Sequence, residues 1–331
     1  MSFFNELVQA SRGRLALPIA TYPGLALTGA SVRQAVQDPG AQTEAVAALQ
    51  QRYHTGFALS AMDLSAEAEA FGCTLHESEN EIPSVTGRLV TTLEQAKALP
   101  LPQPGDRRTA VYLETVRRLK KLPARPRVLA GCIGPFSLAA RLVGVSEAME
   151  LTVSDPELME AVLEKSTAFL TQYARAFQEA GADGLIMAEP AAGLLSPRGL
   201  ATFSSRYVKR IAETSAVDKT FALILHNCAA RVIHLPAILE TGLSTFHFGP
   251  PMDLAAALKQ VPADVVLCGN LDPTGVFCQL PADGVKARAE ELLDQVRGHP
   301  NFVLSSGCDI PAAAPIASLD AFYAAVEKQS P

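Results

Sequence analysis

The chain lacks several features that would assign it to a common class of protein. It has no run of 18 consecutive apolar residues, so we expect no membrane-spanning helix. Its 28 Lys and Arg residues are outnumbered by 34 Asp and Glu residues, and the formal net charge of −6 argues against a nucleic acid or an anionic membrane as partner.

The first residues also lack the apolar core of a secretory signal, since they read MSFFNELVQASRGR. Without that signal, the six cysteines are expected to be reduced thiols in the cytoplasm and not a disulfide framework. Hydrophobic residues make up 48% of the 331-residue chain and charged residues 19%, which is typical of a folded globular protein.

Short apolar runs followed by turn residues recur along the whole chain. They are apolar at consecutive positions, as expected for parallel strands that are buried on both faces. The eight predicted strands are Leu15–Ala20, Phe57–Ala61, Arg127–Gly131, Gly184–Ala188, Phe221–Leu225, Ser244–Phe248, Asp264–Gly269 and Asn301–Ser305.

Amphipathic helical stretches separate most of these runs. The longest has Ser154 as its predicted N-cap, Pro156 in its first turn and Gly181 just beyond its end. The alternation predicts an α/β fold, a (β/α)8 TIM barrel formed by residues 1–331 as a single domain. The predicted helices are Asp155–Glu179, Arg198–Ala216, Ala229–Glu240, Asp253–Val261, Asp283–Arg297 and Ala312–Lys328.

Residues 64–126 separate the second and third predicted strands by more than an ordinary connection. Within this segment, Cys73–Thr91 resembles a small hairpin and Asp106–Leu122 has a helical pattern. We therefore predict an insertion after strand two that lies over the mouth of the barrel.

Residues that can bind ligands gather just after the predicted strands. In barrels of this kind, the loops that follow the strands carry the chemistry. These positions hold Asp63, Glu189, His226, Cys228, His247, Asn270, Asp272 and Cys308.

His226, Cys228 and Cys308 together offer one imidazole and two thiolates, a donor set that zinc prefers. Three protein ligands leave a fourth position for an exchangeable group, as in catalytic zinc sites. Bound zinc lowers the pKa of a coordinated thiol, which favours a thiol substrate. The alternative is that His226 makes only a local hydrogen bond and both cysteines pack as small buried residues, the role we expect of the other four, Cys73, Cys132, Cys268 and Cys278.

Several segments resemble the uroporphyrinogen decarboxylase superfamily, and within it the corrinoid-dependent branch of the methylcobamide:coenzyme M methyltransferase type. Two of them, GPFSLA and GNLDP, are similar to both branches. The resemblance extends over most of the chain, through DLSAEAEAFG at 63–72, EIPSV at 81–85, GPFSLAARL at 134–142, EPAAGLLSP at 189–197, HNCA at 226–229, GNLDP at 269–273 and LSSGCDIP at 304–311.

Three differences separate the chain from the decarboxylases. Their arginine-rich segment after the first strand is replaced by IATYPGLALTG at 19–29, which has no arginine to pair with porphyrinogen carboxylates. Ser306-Gly307-Cys308 stands where they have Gly-His-Gly, and they lack the H-x-C after strand five. The resemblance therefore implies a zinc methyltransferase whose ligands are His226, Cys228 and Cys308.

The resemblance leaves the fourth zinc ligand open. Methyltransferases of this branch tend to place a carboxylate after strand six, where this chain has Gly249. His247, two residues earlier and so on the same face of the strand, is one candidate for the fourth ligand. Glu189 is the other candidate and also a candidate catalytic residue.

Three further residues are candidates for the site. Asp63 aligns with the aspartate that stabilises the pyrrole intermediate in the decarboxylases, and here it is a candidate catalytic residue that orients a substrate or supports the metal site. Asn270 and Asp272 are expected to shape a turn and are candidate cofactor-binding residues.

The predicted reaction moves a methyl group between a corrinoid and a thiol or folate acceptor. Because no D-x-H-x-x-G cobalamin motif occurs, we expect a partner protein to carry the corrinoid. Two alternatives remain at this point: a uroporphyrinogen decarboxylase that depends on Asp63, and a non-catalytic protein that binds a thiol or a corrinoid.

Overall fold

A computed structural model describes residues 2–11, 13–215 and 220–327. Within these ranges, the chain forms short strands that alternate with helices. The strands are β1 Phe57–Leu59, β2 Thr74–His76, β3 Ser84–Thr86, β4 Arg127–Ile133, β5 Gly184–Ala188, β6 Ala222–Asn227, β7 Thr245–Phe248, β8 Val266–Leu271 and β9 Phe302–Ser306.

The helices vary from single turns to one element of 24 residues. No helix among the described residues is both long and apolar enough to cross a membrane. The helices are α1 Phe3–Ala10, α2 Leu25–Thr28, α3 Val32–Gln37, α4 Pro39–Tyr53, α5 Ala66–Phe71, α6 Leu93–Ala98, α7 Thr109–Leu119, α8 Pro135–Val143, α9 Val145–Ser154, α10 Pro156–Glu179, α11 Pro197–Leu200, α12 Arg206–Ser215, α13 Leu235–Leu239, α14 Leu254–Leu258, α15 Ala282–Gln295 and α16 Ile316–Glu327.

Seven strands form one parallel sheet in the order β1-β4-β5-β6-β7-β8-β9, and β2 pairs with β3 as a separate antiparallel hairpin. The register of the sheet places Ala188 beside His226 and His226 beside His247. The predicted α/β class with a parallel sheet and the predicted hairpin are therefore confirmed.

The sheet curls around a core of its own, and a second core lies between the sheet and the helices. Along β6, Ala222 and Ile224 belong to the inner core, whereas Leu223 and Leu225 belong to the outer one. Because side chains alternate between the faces of a strand, His226 points to the inner side. The change from apolar to polar inner residues thus occurs at the carboxyl end of the strand.

The predicted strand Leu15–Ala20 is wrong as a regular strand. Only Ala16 forms a bridge, parallel to Leu304 of β9, and the backbone N–H of Leu17 donates to the Leu304 carbonyl. The next N–H that faces β9, that of Ile19, donates to the side chain of Ser306 and not to a backbone carbonyl. On the opposite side, towards β1, Pro18 has no N–H to donate. The segment nevertheless runs along β9, and the Thr21 hydroxyl donates to the carbonyl of Leu59 in β1 at 2.9 Å. It lies in the position that an eighth strand would occupy.

Some predicted helix boundaries also differ from the structure. Asp155, and not Ser154, is the N-cap of α10, since its side chain accepts from the N–H of Leu158. Ser154 instead ends α9. The helix predicted over Arg198–Ala216 is interrupted by a π-helical stretch at Ala201–Ser205, and Ala216 lies outside the described residues, as does Lys328 at the end of the last predicted helix.

Three other predicted helices are displaced or shorter. The segment predicted as Ala229–Glu240 begins with a 3-10 turn at Val232–His234, followed by α13. The last helix starts at Ile316, four residues later than predicted, because Pro315 disfavours a helical backbone at Ala314. Helix α14 is shorter than predicted and begins after Asp253, whose side chain caps it.

Residues 64–126 contain α5, the β2–β3 hairpin, α6 and α7. Helix α7 packs against α4 and β4, so it takes the place of the helix that connects two neighbouring barrel strands. Arg108, just before α7, reaches the carboxylate of Asp63 at the end of β1. One part of the segment therefore contacts the mouth of the sheet, and the predicted cover over the mouth stays a prediction.

Helix α1 covers the amino-terminal ends of the strands. Phe4 and Val8 join the inner core beneath the sheet. Asn5 is fully buried, and its amide donates to the carbonyl oxygens of Ser244 at 2.8 Å and Asp264 at 2.9 Å. These two bonds attach the helix to the residues that precede β7 and β8.

We predict that Asn5→Ala lowers the free energy of unfolding by about 2–3 kcal/mol, because buried groups lose their partners. Urea denaturation followed by circular dichroism measures the change. Gln9→Ala, at an exposed position of the same helix, serves as the control and is expected to stay within about 0.5 kcal/mol of the wild type. Equal stability of Asn5→Ala and the wild type would contradict this role of Asn5.

Candidate metal centre

His226, Cys228 and Cys308 come together at the carboxyl ends of β6 and β9. A ring nitrogen of His226 and the sulfur atoms of Cys228 and Cys308 all lie within 4.8 Å of one another. His226 is buried, whereas both cysteines are half-buried. Although 80 residues separate the two cysteines along the sequence, the curled sheet brings their loops to one place.

Hydrogen bonds fix the orientation of the His226 ring. Its Nδ1 atom lies 2.8 Å from Nδ1 of His247, whose Nε2 atom lies 2.7 Å from the hydroxyl oxygen of Ser305. Burial lowers the pKa of His247 well below its usual range. The Nε2 atom of His226, by contrast, is buried and has no hydrogen-bond partner among the described residues.

Two glycines allow the loop of Cys228 to pack closely against its neighbours. A Cβ atom at Gly249 would collide with the backbone carbonyl of Cys228, and one at Gly193 would collide with Asn227 and Ala229. The backbone after β7 therefore passes so close to the backbone of Cys228 that no side chain fits at position 249.

The two thiols of the cluster share a hydrogen bond, which shifts their pKa values in opposite directions. The bond from Cys308 lowers the pKa of Cys228 to about 7, and the same bond raises the pKa of Cys308 to about 12. In the absence of a metal, Cys228 is therefore the more acidic thiol of the pair.

Glu189 follows β5 and is fully buried. Its Oε1 atom accepts from the N–H of Phe136 at 2.9 Å, and its Oε2 atom accepts from the N–H and the hydroxyl of Ser137 at 2.8 and 2.6 Å. The hydroxyl of Ser204 adds a fourth bond. The carboxylate thus caps the start of α8, where the helix dipole favours negative charge, although burial raises its pKa.

Asp63 is also buried, with every carboxylate oxygen engaged. One oxygen accepts from the N–H and the hydroxyl of Ser65. The other accepts from the guanidinium of Arg108 and, at 2.8 Å, from the hydroxyl of Tyr112. Arg108 also pairs with Glu69. The structure therefore surrounds Asp63 with groups of this chain alone.

Asn270 and Asp272 hold the loops next to the cluster. The Asn270 amide donates to the carbonyl oxygens of Gly249 and Met252, and one oxygen of Asp272 accepts from the N–H groups of Thr274 and Gly275. Asp272 therefore shapes the turn after β8, whereas Asn270, within β8, holds the loop after β7; cofactor binding by either residue stays a prediction.

Three polar residues near the cluster were not predicted to have a function. Both carboxylate oxygens of Asp309 and the hydroxyl of Tyr22 are buried without a hydrogen-bond partner. Burial and the neighbouring Cys308 raise the pKa of Asp309 well above its usual range. Ser305, which bonds to His247, is the third. Only the position of Asp309 directly after Cys308 could have drawn attention from the sequence.

The four remaining cysteines lie apart from the cluster. Cys73, Cys132 and Cys268 are buried as predicted, and Cys278 is half-buried with its thiol 3.6 Å from the carbonyl oxygen of Pro273. Burial raises the pKa of each of these four thiols.

Curated proteins with related sequences include both methyltransferases and uroporphyrinogen decarboxylases. The chain is 26% identical to the methylcobamide:CoM methyltransferase MtbA of Methanosarcina acetivorans over 321 residues, which cover 91% of each protein. It is 30% identical to the methylcobamide:CoM methyltransferase MtaA of Methanosarcina barkeri over 269 residues, which cover 79% of this chain and 76% of the relative.

The fold is likewise similar to that of a solved methyltransferase from Methanosarcina mazei, with a TM-score of 0.87, 23% identity, and coverage of 98% of this chain and 97% of the other. Residues 22–329 match the family model described as Uroporphyrinogen decarboxylase (URO-D). The predicted resemblance is confirmed, and the chain belongs to the uroporphyrinogen decarboxylase (URO-D) family.

Proposed function

We propose that this protein is a methyltransferase that holds zinc with His226, Cys228 and Cys308 and moves a methyl group between a corrinoid and a thiol. The observation that carries the proposal is the buried, unpartnered Nε2 atom of His226 within a cluster that contains two cysteine sulfurs. The relatives named for the transfer between methylcobamide and coenzyme M support the reaction type.

The residues of the cluster fit zinc. One imidazole and two thiolates are among the donor sets that zinc prefers, and three protein ligands leave one position for a substrate. An imidazole nitrogen that is buried without a partner costs free energy unless something binds it. A metal ion held by the two sulfurs would supply that partner.

When bound, the zinc ion would lower the pKa of a thiol substrate, so that the thiol is deprotonated near neutral pH. In the transfer to a thiol, the S–C bond forms as the Co–C bond breaks, the bonding electron pair remains on cobalt, and the thiol proton leaves to solvent. The fourth position is left to substrate in this proposal, because the polar atoms of His247 and Glu189 are already engaged by this chain.

The other candidate residues position the site. Asp63 holds Arg108 and Tyr112 at the mouth. Glu189 fixes the start of α8 with its carboxylate and donates its N–H to the carbonyl of His226. Asn270 holds the loop after β7 and Asp272 shapes the loop after β8, and we propose that these two loops face the corrinoid.

A corrinoid protein as partner and a location in the cytoplasm belong to the same proposal. All six cysteines are free thiols, which fits a reducing compartment. A folate in place of the thiol is the second acceptor that we propose to test.

The proposed activity is tested by incubating the zinc-loaded protein with methylcobalamin and either coenzyme M, homocysteine or tetrahydrofolate. We expect a methylated acceptor, detected by mass spectrometry, together with loss of the methylcobalamin absorbance, and no reaction in the metal-free protein. Conversion of uroporphyrinogen to coproporphyrinogen would instead show a decarboxylase, and tight binding of corrinoid or thiol without a methylated product would show a binding protein.

Cys308→Ala is expected to weaken zinc binding by more than about 100-fold, because it removes a metal ligand. Replacing a residue that only orients a ligand typically weakens metal binding by about 10–100-fold. The bound metal is measured by elemental analysis after dialysis, with about one zinc per chain expected for the wild type. Cys278→Ala, a half-buried thiol outside the cluster, is the matched control and should retain its zinc. Full zinc content in Cys308→Ala would contradict the assigned site.

In the metal-free protein, Cys228 is expected to react with iodoacetamide faster than the other five cysteines at pH 7–8. Its pKa is about 7, so its reactive thiolate fraction rises as the pH increases from 6 to 8, whereas Cys308 stays protonated. Peptide mapping by mass spectrometry measures the rates, and added zinc should suppress the reaction at Cys228. Faster reaction at Cys278, or no protection by zinc, would argue against this arrangement.

A further inference from the structure

A line of hydrogen bonds runs from the backbone of the N-terminal segment to the metal-facing histidine. The carbonyl oxygen of Leu17 lies 2.6 Å from the hydroxyl oxygen of Ser305, which lies 2.7 Å from Nε2 of His247. Nδ1 of His247 lies 2.8 Å from Nδ1 of His226. All four residues are buried, so water does not replace these partners.

The carbonyl of Leu17 fixes the direction of the whole line, because a carbonyl oxygen can only accept. The Ser305 hydroxyl must therefore donate its single hydrogen to Leu17, and it can only accept from Nε2 of His247. The hydrogen of a neutral His247 is then on Nε2, and its Nδ1 atom has only a lone pair.

The carbonyl oxygen of His247 lies 3.3 Å from Nδ1 of His226 and can only accept, so it requires a hydrogen on that nitrogen. The Nδ1 atom of His247, 2.8 Å from the same nitrogen, then accepts with its lone pair. The neutral ring of His226 consequently exposes a lone pair at Nε2, the atom that has no partner.

We propose that His247 and Ser305 are positioning residues that hold His226 in the tautomer able to bind a metal, and that the carbonyl of Leu17 sets this tautomer. Neither residue binds the metal itself. A histidine ligand needs its second nitrogen oriented by another group, and here a histidine and a serine replace the more common carboxylate.

This line of hydrogen bonds crosses the inner face of the sheet. His247 and Ser305 belong to β7 and β9, which are separated by β8. The residue of β8 that pairs with His247 is Cys268, a small residue of the inner core. A large side chain at that position would occupy the space through which His247 reaches Ser305.

Measurement of zinc affinity by competition with a chromogenic chelator tests the proposal, which rests here on the proposed zinc site. Outer partners of metal-bound histidines typically contribute about 10–100-fold to affinity, and we expect losses in this range for His247→Phe and Ser305→Ala. His247→Gln is expected to restore most of the affinity, because its amide has both an acceptor for His226 and a donor for Ser305.

Ser306→Ala is the matched control. Ser306 is buried beside Ser305 and also bonds to the N-terminal segment, accepting from the N–H of Ile19 at 3.0 Å, but it does not contact His247. Its zinc affinity should remain within about threefold of the wild type, well below the loss expected of an outer partner. Equal weakening in Ser305→Ala and Ser306→Ala, or unchanged affinity in both His247→Phe and Ser305→Ala, would overturn the proposal.

A second measurement does not depend on zinc binding or on activity. In the metal-free protein with ¹⁵N-labelled histidine, NMR should find the hydrogen of His226 on Nδ1 and a bare Nε2. This preference should weaken in His247→Phe, where only the backbone carbonyl of residue 247 still favours a hydrogen on Nδ1. Hydrogen on Nε2 of His226 in the wild type refutes the inference. Failure of the wild type to bind zinc, with the expected tautomer present, would refute the proposed function only.

Discussion

The lone pair at Nε2 of His226 is the constraint on which the rest of the site depends. Burying a polar atom without a partner is costly, and the fold bears this cost at the end of a strand, next to two cysteine sulfurs. The same strand is apolar on its inner face up to Ile224, so the histidine is fixed by a rigid and dry framework. Such a framework orients a ligand more precisely than a mobile loop does.

The acidic residues around the mouth differ in how their charges are compensated. Asp63 is paired with Arg108, and Glu189 caps the start of a helix, so both carboxylates are saturated by groups of the chain. Asp309 has no partner for either oxygen although it directly follows Cys308. Full pairing explains why two carboxylates can be buried here, since hydrogen bonds and an opposite charge offset the loss of hydration.

Family membership by itself does not select the chemistry, because one fold can host different reactions at the same end of its strands. The segment 19–29 has no arginine to neutralise a polycarboxylate. The histidine and the two cysteines converge instead, and the hydrogen bond between the thiols lowers the pKa of Cys228 to about 7. The donor atoms therefore argue for a metal site more strongly than the fold does.

The sequence by itself was enough to predict seven of the eight proposed barrel strands, all except Leu15–Ala20. It also singled out the three residues of the metal cluster, His226, Cys228 and Cys308. The apolar runs were long enough to identify buried strands, and parallel strands place their carboxyl ends at one edge. The failure at Leu15–Ala20 has two causes: the N–H of Ile19 bonds to the side chain of Ser306 instead of the backbone of β9, and Pro18 has no N–H to donate towards β1. Ser154 was chosen as a cap because local patterns do not distinguish it from Asp155.

Only the tertiary structure decided what the neighbouring residues do. The role of His247 depends on its register beside His226 and on Ser305, which lies 58 residues further along the chain. Arg108 forms an ion pair with Asp63, but 45 residues separate the two along the chain, so no local sequence pattern indicates that they pair. Periodicity within a strand tells which face a residue occupies, but the partner across the sheet follows from strand order and curvature. These are set by the packing of the entire chain, so no local pattern could reveal them.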